Sequence, residues 1–243
     1  MALVPEGDFW MGRVHFFLVD AVGWFERDRQ DDFPAHRVFL DAFFIDKYEV
    51  TNQQYGRFLA AKGGRTPWHW PAGKIPQGEE KLPVFNVDWY EATAYCGWAG
   101  KHLPTESEWE AAAAAMSNSA GPGLGRGKRR FPWGAERPAA RHANLDWRFM
   151  GCVNVDRFLD GDSAFGCRQM IGNVWEWTAD DFRPYPGFVT DPYKEYSAPW
   201  FGDHHVLRGG CWATRGRLLR NTWRNFYRPA RRDVFAGFRT CAP

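Results

Sequence analysis

Met170-Ile-Gly-Asn-Val-Trp-Glu-Trp-Thr178 is the stretch on which the fold turns. It lies in a long region running from Phe131-Pro-Trp-Gly134 to the C-terminus. Helical periodicity is absent there, and Gly, Pro, Asp and aromatic residues alternate with very short apolar runs. Such a region cannot stabilise itself through helices. It predicts long loops docked on a small sheet, in an α+β arrangement whose irregular backbone is held by side-chain hydrogen bonds and for which a bound cation is suited. Trp175 and Trp177, with Trp109 upstream, read as core anchors whose indole N–H groups tie down loops.

Upstream of this region the helix signals are clear. Thr51 precedes Tyr55, Phe58 and Leu59 at helical spacing, and Gly63-Gly64 supplies the stop. Asp88-Trp-Tyr-Glu91 and Thr105-Glu-Ser-Glu108 have capping-box spacing. The first opens a helix carrying Ala94, Tyr95 and Trp98 and ending at Gly100; the second opens one from Trp109 to Met116. Strand-like runs occur at 37–45, Val206-Leu207 and 234–240. Ser117 to Arg130, Gly-rich and then basic, reads as an exposed loop.

The 243 residues carry a formal charge of +2, with 44% hydrophobic residues, which excludes disordered, collagen-like and coiled-coil classes. Aromatic residues make up 17% of the chain, including 14 Trp and 20 Phe beside 25 Gly and 16 Pro, as expected of a loop-rich fold pinned by large rings. No apolar run approaches the roughly 20 residues that span a bilayer. Residues 1–7 have neither a basic leader nor an apolar signal core, so a cytoplasmic location is expected. The basic stretches Arg126–Arg130 and Arg215–Arg232 read as solvated loops with carboxylate partners rather than a nucleic-acid surface. Five cysteines without C-x-x-C spacing disfavour a disulfide framework or a zinc ribbon.

Five motifs occur in order: Phe44-Ile-Asp-Lys-Tyr-Glu-Val-Thr-Asn52, Leu103-Pro-Thr-Glu-Ser-Glu-Trp-Glu110, Met170–Thr178, Val206-Leu-Arg-Gly-Gly210 and Gly237-Phe-Arg239. Together they resemble the formylglycine-generating-enzyme, or sulfatase-modifying-factor, family over nearly the whole chain. The resemblance implies one domain over residues 1–243, built as that family's variant of the C-type lectin fold, loop-rich with two or three helices and short antiparallel strands. Arg208 and Arg239, beside glycines, read as structural forks bonding loop carbonyls and carboxylates. In the family's sulfatase modifiers two cysteines after the Arg-Gly-Gly hold copper. Here those positions are Thr214 and Leu219, while Cys211 directly follows the glycines, so neither copper nor sulfatase activation is expected.

Asp162–Met170, Arg183–Phe188, Asp191–Ser197 and Arg224–Pro229 look like the C-terminal half of ergothioneine-type sulfoxide synthases and the related selenoneine synthase. These are iron(II) enzymes that use O2 to join a thiol or selenol donor to the imidazole of trimethylhistidine. The resemblance implies that Tyr193 is the acid and redox partner of the iron-bound oxygen and that Tyr196 is the second tyrosine of the pair. A phenol with pKa near 10 stays protonated where a carboxylate is already ionised. Asn225, Phe226 and Tyr227 match the substrate-pocket stretch. A trimethylammonium group donates no hydrogen bond, so ring faces and amide oxygens must hold it, as Phe226 and Asn225 are suited to do. Tyr227 stands where some members carry an acid that reads the donor's amino group.

In those synthases three histidines of a helical-bundle domain hold the iron. Here no H-x-x-x-H, H-x-x-x-E or H-x-D pattern occurs, which points to an iron-binding partner chain; the alternative within this chain is a site assembled from scattered residues such as His36, His142 and His204. Calcium is a second ion the resemblance implies, at Asn144, Leu145, Asn173 and Glu176, with Asp156 and Asp160 downstream. The rival reading is a non-catalytic ligand- or protein-binding module on the same fold, and the third is sulfatase formylglycine generation through Cys211.

Overall fold

The computed structural model describes residues 1–14, 32–119, 121–190 and 197–243. Three α-helices are described: α1 (Asn52–Lys62), α2 (Trp89–Trp98) and α3 (Glu106–Ala114). Each opens on a capping box, expected from sequence at Asp88 and Thr105 and found at Thr51 as well. The Thr51, Asp88 and Thr105 side chains accept from the backbone N–H groups of Gln54, Glu91 and Glu108, and the latter side chains accept in return from the cap residues' N–H groups. Gly63 in the left-handed region ends α1.

The strands are β1 (Ala2–Val4), β2 (Gly7–Met11), β3 (His36–Leu40), β4 (Phe43–Ile45), β5 (Ala115–Ser117), β6 (Leu124–Lys128), β7 (Trp175–Asp181), β8 (His205–Arg208), β9 (Asn225–Tyr227), β10 (Ala236–Gly237) and β11 (Cys241–Ala242). The largest sheet has the order β10-β7-β8-β9, with β10 parallel to β7 and the other pairs antiparallel. Near the two chain ends, β1 and β11 both pair with β4. Hairpins β2–β3 and β5–β6 complete the described sheets.

Several boundaries differ from the sequence reading. The expected 37–45 run divides at Asp41-Ala42 into β3 and β4, which belong to different sheets. Helix α3 stops at Ala114, so Met116 belongs to β5. The 117–130 segment is not only loop, since it contributes the hairpin β5–β6. Its glycines have a steric cause: a Cβ at Gly125 would stand 2.9 Å from the Ser117 carbonyl oxygen, and one at Gly127 would stand 2.8 Å from Met116 Sδ.

Helix α3 runs through the interior, with Trp109 and Ala111–Ala114 inaccessible, between the large sheet and the β2–β3 hairpin. Glu106 and Glu110, one turn apart, face a buried cation network. Arg208 reaches both carboxylates and also donates to the carbonyls of Asn221 and Thr222. Lys128 donates to Glu110 and to the Trp10 and Gly12 carbonyls, so one member of the basic run is a buried ion-pair partner. Burial alone would raise the Glu110 carboxyl, but Lys128 and Arg208 outweigh it and hold the group below the usual range.

Arg239 clamps Glu176 through Nε and Nη2, each at 2.7 Å, and donates to the Asp46, Lys47 and Arg168 carbonyls. Trp109 Nε1 completes that carboxylate at 2.8 Å, and Trp177 Nε1 donates to the Val87 carbonyl at 3.0 Å. The indoles and guanidinium forks therefore tie loops to the sheet, as their residue types suggest.

Candidate substrate-binding site

Strand β9 is an outer strand of the large sheet, and its three residues are the expected pocket residues Asn225, Phe226 and Tyr227, all half-buried. Phe226 lies parallel to Phe182 at 4.1 Å between centroids, with His204 edge-on at 5.7 Å. Phe182 also meets Phe201, which in turn meets Phe188. This aromatic cluster draws on chain from both sides of residues 191–196. Tyr193 and Tyr196, expected as the catalytic pair, lie outside the described residues. Tyr227 carries the Arg231 guanidinium over its ring at 4.6 Å, and Asp233 accepts from Arg231 Nε at 2.8 Å. Asn225 Oδ1 accepts from the N–H of Phe226.

The residue before this strand anchors it. Arg224 is buried and donates to both Glu106 oxygens, at 2.6 and 3.0 Å, and to the Arg183 carbonyl. Its guanidinium lies 4.8 Å from the Phe182 ring and 4.2 Å from the Tyr185 ring, while the Tyr185 hydroxyl donates to Glu106 Oε1 at 3.0 Å. The N-terminus of α3, the start of β9 and the loop after β7 are thus fixed to one carboxylate. Sequence reading missed Arg224, Glu106 and Tyr185 as site supports. Along this network runs a cleft of about 500 Å³, lined by His36, Glu106, Asp180, Asp181, Arg183 and Arg224 among others. Burial pushes the Asp180 carboxyl up, against the backbone N–H of Glu106 that it accepts.

The three scattered histidines do not assemble a metal site. His36 lies edge-on to Tyr185, His142 stacks on Trp133, and His204 packs against Trp200 and Phe226. Among the described residues no group of three or more His, Cys, Asp or Glu is placed to hold a metal ion. Iron therefore does not fit a donor set of the described residues.

Asn144 and Asn173 are adjacent, the amide of Asn144 donating to Asn173 Oδ1 at 3.1 Å and to the Gly151 carbonyl. Asn144 Oδ1 is buried with no hydrogen-bond partner, and the Leu145 carbonyl accepts from Arg148 N. Asn173 also accepts from Val153 N and donates to Glu49, whereas Glu176 is turned to Arg239 and Trp109. Cys211 and Thr214 are in contact, Sγ to Oγ1 at 3.5 Å, and burial pushes that thiol's pKa up.

Three helices, short sheets of which one pairs both β1 and β11 with β4, and extensive loop among the described residues define a C-type-lectin-like domain of the formylglycine-generating kind. Residues 1–242 match the sulfatase-modifying factor enzyme 1-like domain, and the chain belongs to that family. It is 40% identical over 238 residues to the hercynine oxygenase of Mycobacterium tuberculosis, covering 85% of this chain and 54% of that protein. It is 31% identical over 267 residues to the formylglycine-generating enzyme of Mus musculus, covering 87% of this chain and 66% of that protein. The chain thus spans about half the length of the mycobacterial relative. Among solved structures, PvdO from Pseudomonas aeruginosa superposes with a TM-score of 0.71 at 26% identity, covering 98% of this chain and 92% of its own. No described helix is long and apolar enough to cross a membrane.

Proposed function

We propose that this chain is the lectin-like half of an oxygen-dependent enzyme of the ergothioneine type, forming a C–S or C–Se bond on a trimethylhistidine-like substrate. The observation that carries the reading is β9. Asn225 and Phe226 stand on an outer strand, backed by Phe182 and anchored through Arg224 to Glu106. The likeness to hercynine oxygenases at 37–40% identity supports the same reading.

Phe226 presents a ring face and Asn225 an amide to the trimethylammonium group, which excludes water from a cation that no hydrogen bond can hold. Arg224 keeps the strand in place while the substrate is bound. Tyr193 serves as proton donor and Tyr196 as its companion, on the segment between Phe188 and Phe201. Tyr227, under Arg231, borders the thiol or selenol donor. Iron(II), brought by a partner chain of helical-bundle type, supplies oxygen activation when bound. A calcium ion would be held at Asn144, whose Oδ1 is buried without a partner, and Leu145, with Asn173 holding Asn144 and Glu176 answering Arg239, and it would serve a structural role.

The test is oxygen uptake, with mass spectrometry of products, using the chain supplied with Fe(II), trimethylhistidine and a thiol. It is run alone and with the portion of the mycobacterial hercynine oxygenase that this chain does not match. Sulfoxide product in either mixture supports the reading, and oxygen-independent chemistry on the same substrates contradicts it.

A further inference from the structure

Away from β9, helices α1 and α2 leave a groove of about 600 Å³ between them. Its floor is apolar, with Tyr55 and Phe58 of α1 buried beneath it, and Ala94 of α2 lines its side. Tyr90 and Trp98 line it from α2 and are 56% and 38% exposed. Tyr90, Ala94 and Gly97 or Trp98 follow i, i+4 and i+7 or i+8, so they lie along one stripe of the helix. A Cβ at Gly97, which lines the groove, would stand in open space, with no atom within 4 Å beyond its chain neighbours and its own helix backbone.

The rim has a definite charge pattern. Arg65 binds both Asp88 and Glu91, and Glu91 also meets Arg232. Of these groups only Arg65 and Glu91 line the groove, and they balance each other. Lys62, at the end of α1, lines the same groove and has no ion-pair partner among the described residues. The rim therefore carries one ammonium in excess, which disfavours a cationic guest and matches an anionic one.

We infer that this groove is a binding site for a flat apolar molecule bearing one anionic group, its rings lying against Tyr90, Trp98 and Phe58 and its anion meeting Lys62. The volume falls in the roughly 300–1,000 Å³ range of small-molecule sites. Two exposed large rings flanking a concave floor give stacking area at little entropic cost. The groove shares no lining residue with β9, so it stands or falls independently of the oxygenase reading.

The probe is 2-naphthoate, titrated calorimetrically into the full chain beside its uncharged analogue 2-naphthamide. The expected result is saturable one-site binding of naphthoate, about fivefold tighter than naphthamide, as befits a partly exposed ion pair. Lys62→Gln should erase that difference. Gly97→Leu, which fills the groove at a position where Gly is the poorer helix former, should abolish binding without lowering the thermal midpoint. Phe226→Ala should leave naphthoate binding unchanged. Equal affinity for the two probes, no saturable binding, or full binding by a folded Gly97→Leu chain would overturn the proposal.

Discussion

Phe226 on β9 and Phe182, just after β7, stack nearly parallel, 4.1 Å apart at 14°. One ring face of Phe226 is therefore already committed to the protein, and the stack fixes the strand side chain against the loop that leads toward residue 193. Replacing Phe226 by Ala should weaken trimethylhistidine binding about tenfold, the worth of one desolvated cation–ring contact. The chain should remain folded, because Phe226 is only half-buried. Calorimetric titration of the variant checks this, and unchanged affinity would remove Phe226 from the pocket.

Tyr193→Phe separates chemistry from binding. On the proposed reading the phenol is the proton donor, and Phe keeps the ring while removing the hydroxyl. The variant should bind trimethylhistidine with nearly wild-type affinity and lose or divert sulfoxide formation, read by product mass spectrometry in the active mixture. Wild-type product yield would sink the assignment.

Glu110 answers Gly12 N–H, Lys128 and Arg208 at once in a fully buried position. Glu110→Gln leaves two cations facing a neutral amide. Such a broken buried pair costs about 3–5 kcal/mol. Urea unfolding should show the midpoint falling accordingly, and a loss within about 1 kcal/mol would mean that water enters the network.

Burial raises the Glu49 carboxyl from 4.5 to about 8, despite Arg239 and the Asn173 amide. The folded chain then holds a proton that the unfolded chain has already lost. The resulting stability is fully present below the unfolded pKa and declines as pH rises from 4.5 toward about 8, with a slope of up to about 1.4 kcal/mol per pH unit. Glu49→Gln removes the ionisation. Urea midpoints across this window should fall for the natural chain relative to the variant; parallel curves would show that Glu49 ionises normally.

The helices were legible because capping is local: Thr51, Asp88 and Thr105 find their partners three residues away. Strand β7 carries no strand signal in its sequence, since Trp175 to Thr178 are all buried and show no in-out alternation. Asn225 and Phe226 were reached through family resemblance, not through any pattern in β9 itself. Arg224 stayed invisible because its partner Glu106 is 118 positions away, and a carboxylate at a helix start reads first as an ordinary end-charge residue. Asn144 and Asn173, which only the family resemblance associates, touch each other, whereas Glu176 has its two oxygens filled by Arg239 and Trp109, groups that no local spacing announces.

The most direct measurement is a competition between trimethylhistidine and histidine for the β9 site, followed by saturation transfer and calorimetry on the natural chain and on Phe226→Ala. The account predicts that the trimethylated ligand binds about tenfold more tightly and that this preference disappears in the variant. Equal binding of the two ligands by the natural chain, or a preference untouched by Phe226→Ala, would contradict it.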